Sequence, residues 1–120
     1  MHTVIDLKQK IKEFGGKPYS PIDVSRINDY VVRMALFDGE YHWHKHANDD
    51  ELFFVYIGEI EIQYKGRKNA RVKEGQMHIV PKGTEHCPRS IKPSYVLLFR
   101  FNVAVVSFLV MFAVVAAVVF

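Results

Sequence analysis

Between Gly39 and Gly58 the chain reads GEYHWHKHANDDELFFVYIG, with His42, His44 and His46 at every second position and Glu51 closing an acidic run. On an extended strand, residues two apart point the same way, so the three imidazoles share a face and successive ones lie about 6 to 7 Å apart. Neighbouring imidazoles at that spacing can converge on one ion. A His-x-His pair also occurs on solvent faces, so the row alone leaves both readings open. The turn-prone stretch Ala47 to Asp50 follows, and the next strand opens on Glu51, which an antiparallel return would carry back across from the imidazoles. Taken singly, Glu51 reads equally as a solvated acid after Asp49 and Asp50. Further on, EGQMHIVPKGTEHCPRS sets Pro81 and Gly83 at a tight reversal just before His86. That hairpin could deliver a third imidazole; a turn histidine with no ligand role is the other reading.

These residues need elements to hold them. Val4, Leu7, Ile11 and Phe14 recur at helical spacing, Thr3 with Asp6 resembles a capping box, and Gly15-Gly16 supplies a stop, so one short N-terminal helix is predicted. From Pro18 onward the period changes to two. Strands are predicted at about 21–27, 30–37, 40–46, 51–57, 59–65, 69–73, 77–80, 85–90 and 94–101, with turns at Asn28-Asp29, Asp38-Gly39, Gly58, Lys65-Gly66 and Glu74-Gly75 among others. Many short strands without intervening helices indicate an all-β sandwich or barrel. In the strand at 59–65, Glu59, Glu61 and Gln63 alternate with Ile60, Ile62 and Tyr64, one face wet and one in the core. ELFFVYI is apolar on both sides; its outer face Leu52, Phe54, Tyr56 is large enough to predict a homodimer.

The two histidine segments together resemble the two signature motifs of the cupin superfamily. The first is His44-x-His46, four residues, Glu51, six residues, Gly58; the second is Gly75, five residues, Pro81-x-Gly83, two residues, His86. The resemblance spans roughly residues 24–101 and is nearest to the small single-domain cupins grouped as mannose-6-phosphate-isomerase-like. Two positions depart from the pattern: Gly39 is one residue closer to His44 than usual, and Ser90 stands where an Asn often closes the second motif. The resemblance implies a jelly-roll barrel, the double-stranded β-helix, expected over residues 18–102; residues 1–17 are read as a helix and arm, and 103–120 as an apolar tail that departs from the pattern, since related small cupins usually finish with a polar tail. It implies one divalent transition metal held by His44, His46, Glu51 and His86. His42 is expected deeper in the barrel as a pocket histidine, hydrogen-bonded to Tyr64 or Gln63, or else as a core histidine without a role. Tyr64, Gln76 and His78 are the other pocket candidates.

Three neutral imidazoles and a carboxylate would leave a divalent ion near +1, with two octahedral positions for water, dioxygen or a bidentate ligand. Nitrogen and oxygen donors admit Fe, Mn, Ni, Co, Cu or Zn. Three functions follow: a metal-dependent oxygenase or sugar(-phosphate) isomerase acting on a small polar or anionic metabolite, a binding module without turnover, and a structural or interaction role for the barrel. No general base stands out beyond the ligands, and strand parity turns Cys87 away from His86 as a buried structural thiol.

Composition sets the frame. At 120 residues, 49% hydrophobic and 13% aromatic, the chain suits one packed domain. A net charge of +3 without a strong basic cluster argues against nucleic acid as a partner. The single Cys87 cannot form an internal disulfide and the N-terminus has no apolar signal segment, so a cytoplasmic location is expected. The exception is VAVVSFLVMFAVVAAVVF, residues 103–120, where Ser107 interrupts an otherwise apolar run. Its length reaches the lower edge of a bilayer-spanning helix, making it a candidate membrane anchor with the barrel on the cytoplasmic side. A packed terminal strand and an accidental tail are the alternatives.

Overall fold

A computed structural model describes residues 3–101. The segment 103–120, with the anchor expectation placed on it, lies outside the described residues. Among those described, no helix is long and apolar enough to cross a membrane.

The short helix α1 spans Leu7–Glu13. Asp6 itself caps it, accepting hydrogen bonds from the backbone N–H groups of Lys8 at 3.0 Å and Gln9 at 3.4 Å, in place of the expected Thr3–Asp6 box. Leu7 and Ile11 pack over the outer cluster Val32, Met34 and Leu97, while Val4 precedes the helix and stays exposed.

Six antiparallel strands follow: β1 (Ile22–Ile27), β2 (Tyr30–Phe37), β3 (Glu51–Tyr64), β4 (Ala70–Lys73), β5 (Met77–Val80) and β6 (His86–Phe101). The order is β1-β2-β6-β3-β4, and β5 pairs with the first half of β3. This is the all-β jelly-roll expected. Two long strands carry it. β3 unites the segments predicted at 51–57 and 59–65, and β6 unites those predicted at 85–90 and 94–101.

The join in β3 explains why a turn was expected at Gly58. Glu51, Phe53 and Val55 face inward on odd numbers, then Ile60, Ile62 and Tyr64 on even numbers. Register irregularities from Val55 to Ile60 absorb the change of parity. Gly58 sits there at φ 110, and a Cβ on it would overlap the Ser94 side chain. Only glycine fits both demands. Phe37, Phe53, Ile60, Ile62 and Leu98 fill the interior at 0–1% exposure, each contributing about 1.5–3 kcal/mol by burial.

The predicted strand at 40–46 is absent. Those residues touch the sheet through two isolated bridges, Glu40 to Arg89 and His44 to His86. On the outer face Phe54 joins the same cluster as the helix residues Leu7 and Ile11, and beside it on β5 Met77 and Ile79 remain exposed.

Candidate metal centre

Strand ends supply two of the site residues. Glu51 begins β3 and His86 begins β6, and both are fully buried. His44 comes from the irregular segment, where its backbone exchanges two hydrogen bonds of 2.9 Å with His86. The carbonyl of His46 accepts from the N–H of Gly83 at 2.7 Å, so the Pro81–Gly83 reversal secures the loop end as well as delivering His86. The imidazole centroids of His44 and His86 lie 4.4 Å apart, those of His44 and His46 4.9 Å, and those of His46 and His86 5.7 Å. One ligand atom from each of His44, His46, Glu51 and His86 falls within 4.8 Å of the others.

Protons distinguish these side chains. His44 Nδ1 donates to the His42 carbonyl at 2.9 Å, and His86 Nδ1 donates to the Thr84 carbonyl at 2.9 Å. Each bond fixes the tautomer and leaves a bare lone pair on Nε2. Those two Nε2 atoms and Glu51 Oε2 are buried with no hydrogen-bond partner among the described residues. Burial lowers the pKa of His44 from 6.5 to about 4, and burial also lowers that of His86, so both are neutral bases at neutral pH. Orphaned lone pairs of this kind are costly unless something fills the space between them. Two neutral imidazoles and a carboxylate oxygen suit a divalent transition ion.

His46 is held differently. Its Nε2 faces Glu51 Oε1 at 2.9 Å, and Arg100 Nη1 lies across the ring, 2.9 Å from Nδ1 and 3.4 Å from Nε2. Arg100 is itself gripped by Asp49, through Nε to Oδ2 at 3.2 Å and Nη2 to Oδ1 at 3.0 Å, and the Phe101 N–H donates to Asp49 Oδ2 at 3.1 Å. Asp49, His46 and Arg100 are all buried. No local sequence pattern joins Asp49 to Arg100. The signal present was an arginine in inward parity with Val96 and Leu98 on an apolar strand.

The pocket candidates divide. His42 is exposed, a correction to the buried position expected, because parity applies to a strand and residues 41–46 form none; its carbonyl, not its ring, serves the site. Gln76 is exposed too, and its side chain accepts from the Lys73 N–H at 2.9 Å to staple the turn before β5. Tyr64 and His78 both line the interior, joined by a 2.6 Å hydrogen bond between the phenol and Nε2. Tyr64 stands opposite His86 in the β3·β6 register, next to the cluster. Burial raises the Tyr64 pKa; burial, then Arg67, lowers that of His78. Cys87 is buried as expected, its thiol pushed up to about 11 by burial and then by Glu40, which makes it a poor nucleophile.

Comparison with known proteins bears on the family and the fold. The family model described as a cupin domain matches residues 32–100. YdbB of Bacillus subtilis (strain 168), an uncharacterized protein, is 38% identical over 90 residues, covering 75% of this chain and 76% of its own. A cupin-2 domain containing protein from Shewanella frigidimarina NCIMB 400 has a crystal structure matching with a TM-score of 0.79 at 30% identity, over 82% of this chain and 95% of that one. Hydroquinone 1,2-dioxygenase from Sphingomonas sp. TTNP3 matches at TM-score 0.64 and 17% identity, over 73% of this chain and 68% of its own, a likeness of fold alone.

Proposed function

From the premise that this chain belongs to the cupin family, we propose that it binds one divalent transition metal at the cluster His44, His46, Glu51 and His86 and uses it to take a small polar or anionic metabolite. The observation that carries this is the convergence of buried, unpartnered lone pairs on His44 Nε2, His86 Nε2 and Glu51 Oε2. When bound, the ion would supply Lewis acidity and, if redox-active, a route to dioxygen chemistry. The chain's own part is to hold two imidazoles neutral, to exclude water from Glu51, and to set the Tyr64–His78 pair on the adjoining wall as a carrier of one proton.

Oxygenase chemistry on a metabolite that binds through two oxygens is the preferred reaction. Sugar-phosphate isomerisation would call for cationic side chains matched to a phosphate. Arg100 reaches the site, but its charge is answered by Asp49. A non-catalytic binding module is the alternative reading. The exposed Met77 and Ile79 beside Phe54 favour a homodimer through that face, and we place the barrel in the cytoplasm.

Elemental analysis of the untagged protein tests the centre: about one equivalent of a transition metal in the parent, and little in His44→Ala and Glu51→Ala, is expected. A parent that stays metal-free after reconstitution would sink the proposal. Oxygen consumption by the loaded protein, offered panels of vicinal diols and hydroxy acids, separates oxygenase from binding module.

A further inference from the structure

The chain has six arginines. Five are answered by carboxylates: Arg26 and Arg33 by Asp23, Arg71 by Glu59, Arg89 by Glu61 and Arg100 by Asp49. Arg67 has no acidic partner among the described residues; its guanidinium carbon lies 4.4 Å from the centre of the Tyr64 ring. That contact holds the cation in place without supplying an oxygen acceptor, so the exposed donor fork stays available. The turn that carries Arg67 is tied beside the metal centre. Tyr64 N–H donates to Asn69 Oδ1 at 3.0 Å, closing the turn across Gly66 at φ 75. Lys65 Nζ pairs at 3.4 Å with Glu85, the residue before His86, and lies 4.8 Å from the ring centre of Trp43, the residue before His44. Tyr64 itself links rim and centre: its backbone stands opposite His86, and its phenol is hydrogen-bonded to His78 Nε2 at 2.6 Å. Burial acts first on the pKa of both Tyr64 and His78, and the Arg67 charge is felt at each after it.

We propose that Arg67 is the anion-receiving residue of the site, and that the metabolite is an organic acid with two ends: a pair of oxygens for the metal and a carboxylate, beyond Tyr64, for the guanidinium. This rests on the metal-centre reading above and narrows its ligand from polar or anionic to a carboxylate. Lys65 is already answered by Glu85, so the turn offers one planar fork at Tyr64, which matches a carboxylate in shape and in unit charge. The field acts in the same direction. Glu51 answers one charge of a divalent ion and Arg67 adds another, so an anion is drawn to the site where a neutral ligand is not. Arg67 therefore decides which metabolite stays, while the histidines and Glu51 decide where its other end is held.

Calorimetry on the full chain loaded with about one equivalent of Zn(II) tests this. The probes are malate, 2-hydroxyglutarate and 2-hydroxyadipate, each against the 2-hydroxy monoacid of the same length. The hydroxyl and its adjacent carboxylate serve as the metal-binding pair, and the far carboxylate reports on Arg67. In the parent, at least one diacid is expected to bind about 10- to 100-fold more tightly than its monoacid. Arg67→Gln should remove that preference, and Lys68→Gln, in the same turn and of the same charge, should keep it. No preference at any length, a preference that survives Arg67→Gln, or equal loss in both variants would each overturn the assignment and leave the metal centre standing. Glycerate 3-phosphate against glycerate supplies the other kind of anion: an Arg67-dependent preference larger there than for every diacid would make the ligand a phosphate and sink the carboxylate. Zinc content, measured in each protein, separates loss of the anion from loss of the metal. A parent that takes up no zinc would overturn the metal-centre reading, and the two-ended ligand with it.

Discussion

Glu51 and His86 reach the site from strands, whereas His44 and His46 reach it from a segment that has no strand, and different forces secure the two pairs. Register fixes the first pair, since Glu51 sits opposite Val80 and His86 opposite Tyr64. Displacing either would break a ladder that runs through the core. The second pair depends on discrete contacts: the His44–His86 bridge, the Gly83–His46 bond, and the buried Arg100–Asp49 clamp behind His46. A strand places its side chains by repetition, but a loop must be anchored point by point. Here the anchor includes buried charge.

That contrast breaks hardest at Asp49. In Asp49→Ala, Arg100 is left buried without its counter-ion, and unfolding free energy should fall by about 3 to 5 kcal/mol, read from denaturant midpoints. A loss near zero would mean that the loop is held without the clamp. Next in size, Glu51→Ala or His86→Ala should weaken metal binding by at least about 100-fold by calorimetry, since these residues present bare ligand atoms.

Titration sharpens the comparison further. The folded His44 pKa, about 4, lies below its ordinary 6.5, so the unfolded chain takes up a proton that the native chain refuses between those values. The metal-free protein should therefore hold its full stability above about pH 6.5 and lose it as pH falls toward 4. His86, shifted the same way by burial, adds to the slope. Urea midpoints from pH 7.5 to 4.5 should drop in the parent and flatten in His44→Ala; a flat parent curve would remove the burial argument. Smallest of all is His42→Ala, expected within about 0.5 kcal/mol of the parent in both stability and metal affinity, because its carbonyl survives the change. A large loss would restore a role to its ring.

The alternation of Glu59 to Tyr64, the short helix and the all-β class were readable in sequence because each depends on local periodicity. The cluster of four was readable because its two segments carry recognisable spacings. The route to it was not. His44 and His46 converge as strand parity required, yet parity also placed His42 inside, and it is exposed. A segment bonded to the sheet at two points has no reason to alternate. Gly58 read as a turn because a bulge and a turn ask for the same positive φ. Lys92 and Pro93 read as a break in β6, although the strand continues through them as an exposed stretch. Arg100 and Asp49 are 51 residues apart, so no local pattern could pair them.

The bridge between His44 and His86 has a kinetic meaning as well. Two backbone hydrogen bonds fasten the histidine loop to β6 at that point, and both involve residues whose side chains line the cluster. A brief opening of this clasp would swing His44 away and expose the buried face of His86 in one event. Exchange of cargo with the surroundings would then be timed by local breathing of the loop and not by unfolding of the barrel. Amide hydrogen exchange would show it as a shared protection factor at His44 and His86, lower than that of Phe53 or Leu98 and raised for both together when the site is filled.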